Sequence, residues 1–216
     1  MFLKLNFKRI VLIEIKNIKM KNIAMLLSFL ALFISCKTYD KLKLSESLTK
    51  MVDRDQEVQN LIMTNGGKDK VKLDSLNSLK KEIFITNYKN IKSIYEDIGY
   101  PSISRYGKEN SYNYWLLVQH CDNDVVFQEN VLNKMKKLLR KSDVNKKNYA
   151  YLYDRVMKNK GAKQLYGTQF TYLPPNYEPL VLNIEDSINV DKRRKEIGLE
   201  PLADYIKSMK ELLNNK

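Results

Sequence analysis

The stretch Trp115-Leu-Leu-Val-Gln-His-Cys-Asp-Asn-Asp124 holds the only histidine of the chain and places two acids within four residues of it. On a helix His120 and Asp124 share a face, the spacing at which a carboxylate can orient an imidazole for proton transfer. His120 is therefore the candidate general base or ligand-binding donor. Asp124 or Asp122 is its candidate orienting acid, and Gln119 and Gln128 extend the polar stripe. The plainer alternative, commoner for a lone histidine, is a helix residue satisfied by its own aspartate. Cys121, in the same stretch, reads as a small buried hydrophobe rather than a nucleophile.

Three further polar clusters follow. In "YAYLYDRV" Asp154 and Arg155 close an aromatic run, and Arg155 can pair with a substrate carboxylate or, the favoured reading, with an acid of this chain. "KQLYGTQFTY", residues 163–172, gathers Gln164, Tyr166, Thr168 and Gln169 around Gly167. These uncharged groups can be buried at moderate cost if they find partners. They would line a ligand site or tie an extended insertion to the helices. "VDKRRKEIGLEPLADY" supplies Asp191 as a helix cap, with Arg193 and Arg194 pointing different ways. The combined expectation is one polar pocket in which segments near 120, 154, 168 and 193 meet.

That pocket lacks an obvious nucleophile, since no Ser sits in a G-x-S-x-G elbow. One His with two Asp, and no H-E-x-x-H or paired Cys, predicts neither a metal nor a cofactor.

Helices must position these groups. Apolar spacing predicts helices over about 46–63, 73–98, 111–141 (bent near 121–123) and 149–159. Gly99 and Pro101 stop the second. Asp69 or Asp74 caps the second, and Asp143 or Asn145 the fourth. Extended runs at 165–173 and 180–184 flank Pro174-Pro175-Asn176. A short helix capped by Ser187 or Asp191 and a last helix, 201–213, complete the pattern. The expected fold is mainly α: a single helical domain, 47–213, with a short β-hairpin or extended insertion near residues 165–184, preceded by a lipoprotein signal peptide.

The front of the chain carries that signal. Met20 and Lys21 open "MKNIAMLLSFLALFISC", whose apolar core runs from Ile23 to Ile34 and ends at Ser35-Cys36. A small residue before Cys is the lipobox pattern, in which Cys36 becomes the lipidated first residue of the mature chain. Residues 20–35 are then the signal peptide, 36–46 the lipidated Cys and tether, and 1–19 a candidate mis-assigned extension before a better start at Met20. Cleavage removes six basic residues and one acid, so the formal net charge falls from +13 to +8. The remaining Lys are scattered over helix faces without interleaved aromatics, which argues against a nucleic-acid surface. The expected partners are a membrane, through Cys36, and a small polar ligand or envelope component. The expected location is the bacterial cell envelope, as a membrane-anchored lipoprotein facing the periplasm.

The strings "WLLVQH-D-D--FQ", "NYAYLYDRV", "QLYGTQ" and "D-RR---GL-PL--Y", with Met51, Asp55 and Gln56 in "M---DQ" and "IGYPSISRYG" upstream, resemble the uncharacterised bacterial family DUF6624 over roughly residues 48–205. The resemblance implies one domain and carries no activity. Three functions remain in view: a ligand-binding envelope lipoprotein, a hydrolase or transferase using His120 as general base, and a helical scaffold for a protein partner.

Overall fold

The computed structural model describes residues 40–65, 69–173 and 178–214. Residues 1–39, which hold the candidate extension, the signal peptide, Cys36 and the first part of the tether, and the Pro174-Pro175-Asn176 stretch lie outside the described residues. The rest of the expected tether is not a tether: Lys41–Glu46 already belong to the first helix, because Leu44 is buried with Leu48 on its apolar stripe. Residues Tyr39–Lys216 form one compact unit. It is mainly helical, with one small antiparallel sheet.

Apolar residues at three- and four-residue spacing set the first two helices, α1 (Lys41–Asn65) and α2 (Lys70–Ile98). Leu44, Leu48 and Met51 of α1 join Ile91 and Ile94 of α2 in the core, and Val58 is buried further along α1. Asp69 caps α2 by accepting from the Lys72 N–H, and Gly99 ends it with φ at 71°. Leu61 of α1 and Leu79 of α2 are about two-fifths exposed.

A one-turn helix, α3 (Ile103–Tyr106), leads into α4 (Lys108–Gln119). The long third helix expected over 111–141 is broken rather than bent. His120 ends α4, and Asp124 caps a new helix, α5 (Val125–Leu139), by accepting from the Phe127 N–H. Val126 is consequently turned out to solvent, at 69% exposure, whereas Phe127, Val131, Leu132 and Met135 enter the core. Asn145 caps α6 (Lys146–Asn159), and α6 packs along α5.

Strands β1 (Thr171–Leu173) and β2 (Glu178–Leu180) pair antiparallel with Tyr172 opposite Pro179. The extended run is shorter than expected. Residues 165–170 are an irregular loop, not an alternating strand, and Gly167 turns it at φ 65°. After a 3₁₀ turn come α7 (Val190–Glu196) and α8 (Leu202–Asn214). Neither Ser187 nor Asp191 caps α7. The Asp191 carboxylate instead accepts from the Leu202 N–H, at 2.7 Å, and so starts α8.

Candidate functional site

Asp55 lies on the buried line of α1, between Met51 and Val58, and is fully buried. A carboxylate there must be hydrogen-bonded to be tolerated. Its Oδ1 accepts from the side-chain amides of Gln56 and Gln59, each at 2.9 Å. Its Oδ2 meets His120 Nδ1 at 2.7 Å. A carboxylate only accepts, so this contact assigns a ring hydrogen to Nδ1; in the neutral imidazole Nε2 is then the acceptor.

Phe84 of α2 stacks on the imidazole, with ring centroids 4.6 Å apart and planes within 3°. The His120 side chain keeps 16% of its surface exposed. It opens on a groove of about 450 Å³, lined by Lys80, Lys81, Phe84, Ile85, His120, Asp122 and Asn123.

The sequence expectation placed Asp124 or Asp122 on the imidazole. The chain break after α4 removes the helical geometry that this required. Asp124 is occupied as the α5 cap, and its Oδ2 also receives the Tyr88 hydroxyl at 2.6 Å and Lys92 Nζ at 3.3 Å. Asp122 turns toward α6. Arg155 grips it through Nε and Nη2, at 2.8 and 2.6 Å, and Asn159 and Gln128 donate to Oδ1 at 2.8 and 3.2 Å. Burial alone would push the Asp122 carboxyl up, but these donors and the guanidinium charge outweigh it and hold its pKa below the usual 3.8. Arg155 thus takes an internal acid. Gln128 is fully buried, bonded to the Val118 carbonyl and to Asn159.

A second centre forms around Asp154, also fully buried. Its carboxylate accepts from the backbone N–H groups of Leu165, Tyr166 and Thr168 and from the Thr168 hydroxyl, the last three within 2.8–3.2 Å and the first at 2.7 Å. Burial is the larger effect and raises its pKa above the usual 3.8, although those four donors oppose it.

Gln164 clasps the same loop, donating to the Gln169 and Leu182 carbonyls and accepting from the Gln169 N–H. Arg194, 1% exposed, donates to the carbonyls of Tyr166 and Glu200 at 2.7 and 2.6 Å and lies over the Tyr205 ring. Arg193 donates to the carbonyls of Leu165 and Asp186.

The site residues therefore divide. His120 and Asp122 share the groove. Asp154, Gln164, Tyr166, Thr168, Arg193 and Arg194 form an internally paired clamp on the 164–170 loop, and none of them lines the groove of His120 and Asp122, so the expected single pocket is replaced by two separate centres among the described residues. Arg155 is the link, since its Nη1 reaches Gln169 Oε1 at 3.4 Å while its other nitrogens hold Asp122.

Sequence reasoning missed Asp55 and Phe84 as partners of His120. A signal for Asp55 was present: an acid at the buried phase of an apolar stripe needs a partner. Cys121 is buried, donates to the Leu117 carbonyl, and has its thiol pushed up by burial to about 12, so it supplies no thiolate. Among the described residues no three His, Cys, Asp or Glu side chains gather as a metal site requires, and no helix is long and apolar enough to cross a membrane.

These features define a helical domain with a carboxylate-held histidine at a surface groove and a separate buried polar clamp. The chain belongs to DUF6624, a family of unknown function whose sequence pattern matches residues 42–216. No curated protein and no solved structure matches it.

Proposed function

We propose that this is a membrane-anchored envelope lipoprotein whose helical domain takes a small polar or envelope-derived ligand at the His120 groove, with His120 as the group that accepts or donates a proton there. The observation that carries the reading is the 2.7 Å contact between fully buried Asp55 and His120 Nδ1. A dedicated carboxylate fixes the ring and its tautomer and leaves Nε2 for a ligand or a water. Lys80 and Lys81 at the groove edge favour a ligand with negative character, and Phe84 and Ile85 offer it an apolar wall. Where chemistry follows binding, water is the nucleophile that suits a base with no Ser or thiolate beside it. The lipobox ending at Cys36 supports the anchor.

The test is a thermal-shift screen of metabolites and muropeptides on the wild-type chain and on His120→Ala. The reading expects at least one compound to stabilise the wild type and to lose that effect in the variant. If every compound that stabilises the wild type stabilises His120→Ala equally, His120 is not part of a ligand site.

A further inference from the structure

Two buried donors on one face of α4 have no hydrogen-bond partner among the described residues: Trp115 Nε1 and Gln119 Nε2. Their residues are 8% and 6% exposed. A buried N–H without an acceptor costs free energy, and two of them one helical turn apart mark a place that lacks an acceptor.

The neighbouring helix supplies the rest of the surroundings. The Trp115 indole meets Tyr151 of α6 edge-on, with centroids 6.2 Å apart. Arg155 follows Tyr151 by one turn and grips Asp122, just beyond the end of α4. Trp115 of α4 thus meets Tyr151 of α6, and Gln119 and Arg155 each follow one turn on in their own helix. Arg155 commits Nε and Nη2 to Asp122, while Nη1 has only the long 3.4 Å contact to Gln169 Oε1.

We propose that Trp115, Gln119 and Arg155 form a carboxylate-binding subsite between α4 and α6. A carboxylate accepts on both oxygens and donates nothing, which matches two neutral N–H donors and a guanidinium edge. Tyr112, 47% exposed, lies against the indole with ring centroids 5.4 Å apart, and its movement would be the ligand's way in. The subsite goes beyond the His120 reading, since it needs no proton transfer and none of its three residues lines the imidazole groove.

Trp115 is the only tryptophan, so intrinsic fluorescence reports on the subsite directly. Full-length protein is titrated with N-acetylalanine and with its uncharged amide. The proposal expects a saturable change in emission with the acid, and binding weaker by about tenfold or more for the amide and for the acid with Gln119→Leu. Gln119→Leu is also expected to melt at or above the wild-type temperature, because an unpartnered donor is replaced by an apolar group. Should that variant fail to fold, Gln119→Met repeats the measurement. His120→Ala keeps the titration, so a failure here and a failure of the His120 reading appear in different proteins. No saturable change up to about 50 mM acid, equal affinity for acid and amide, or unchanged affinity in the Gln119 variant overturns the subsite.

Discussion

Asp55 and His120 are 65 positions apart in sequence and 2.7 Å apart in space. The contact ties α1 to the end of α4, and it orders the imidazole that the groove presents. Asp55→Ala is expected to release the ring. In a histidine-selective nitrogen NMR spectrum the wild type shows one tautomer, hydrogen on Nδ1, and the variant shows exchange between both. A variant spectrum identical to that of the wild type would mean that Asp55 does not set the tautomer.

The buried Asp154 carboxylate is expected to be the most sensitive polar position in the fold. Asp154→Asn keeps the shape but turns an amide toward N–H donors. Breaking a buried charged network costs about 3 kcal/mol or more, which lowers the melting temperature by roughly 6–12 °C in a chain of this size. A loss below about 2 °C would show that the 164–170 loop does not depend on it.

Gly167 is expected to resist replacement. Its φ is 65°, and a Cβ there would meet Ile184, Leu202 and Val181 at 3.1–3.2 Å. Gly167→Ala combines left-handed backbone with overpacking and is expected to destabilise by about 2 kcal/mol, read as a lower denaturant midpoint. Gly161→Ala, with the same sign of φ and nothing within 4 Å, is the milder control.

Asp122 gives the groove a pH dependence of defined sign. Its folded pKa lies below the usual 3.8, so its pairing with Arg155 stabilises the fold at pH values above that figure. The contribution disappears as pH falls below it and through the folded value. The side chain is 47% exposed, so solvent screens the pair and the effect is small. Melts from pH 6 down to pH 3 are expected to fall more steeply for the wild type than for Asp122→Asn; parallel curves contradict this.

The anchor is tested separately. Labelled palmitate is expected to enter the wild type and not Cys36→Ser, and equal labelling of the two ends the lipoprotein reading.

The helices were legible because their apolar stripes are regular; Gly99 was legible as a stop, and two N-caps were narrowed to pairs, Asp69 or Asp74 and Asp143 or Asn145, of which Asp69 and Asn145 serve. The break between α4 and α5 was only half legible. Asp124 looks like an i+4 partner of His120 and also like a helix cap, and the cap prevails because it satisfies the Phe127 N–H. Asp55 was hidden as a partner because pairing across two distant helices leaves no spacing in the chain. The 164–170 polar string was readable as a cluster. Its role was not, since three of the four donor types around Asp154 are backbone groups that any sequence would supply.

The central claim is that His120, the only histidine, presents Nε2 to an open groove. Diethyl pyrocarbonate reaction, followed at 240 nm on the folded chain, tests it most directly. The account predicts one modified histidine per chain, with the reaction slowed by any compound that stabilises the wild type but not His120→Ala. A histidine that reacts only after denaturation would contradict it.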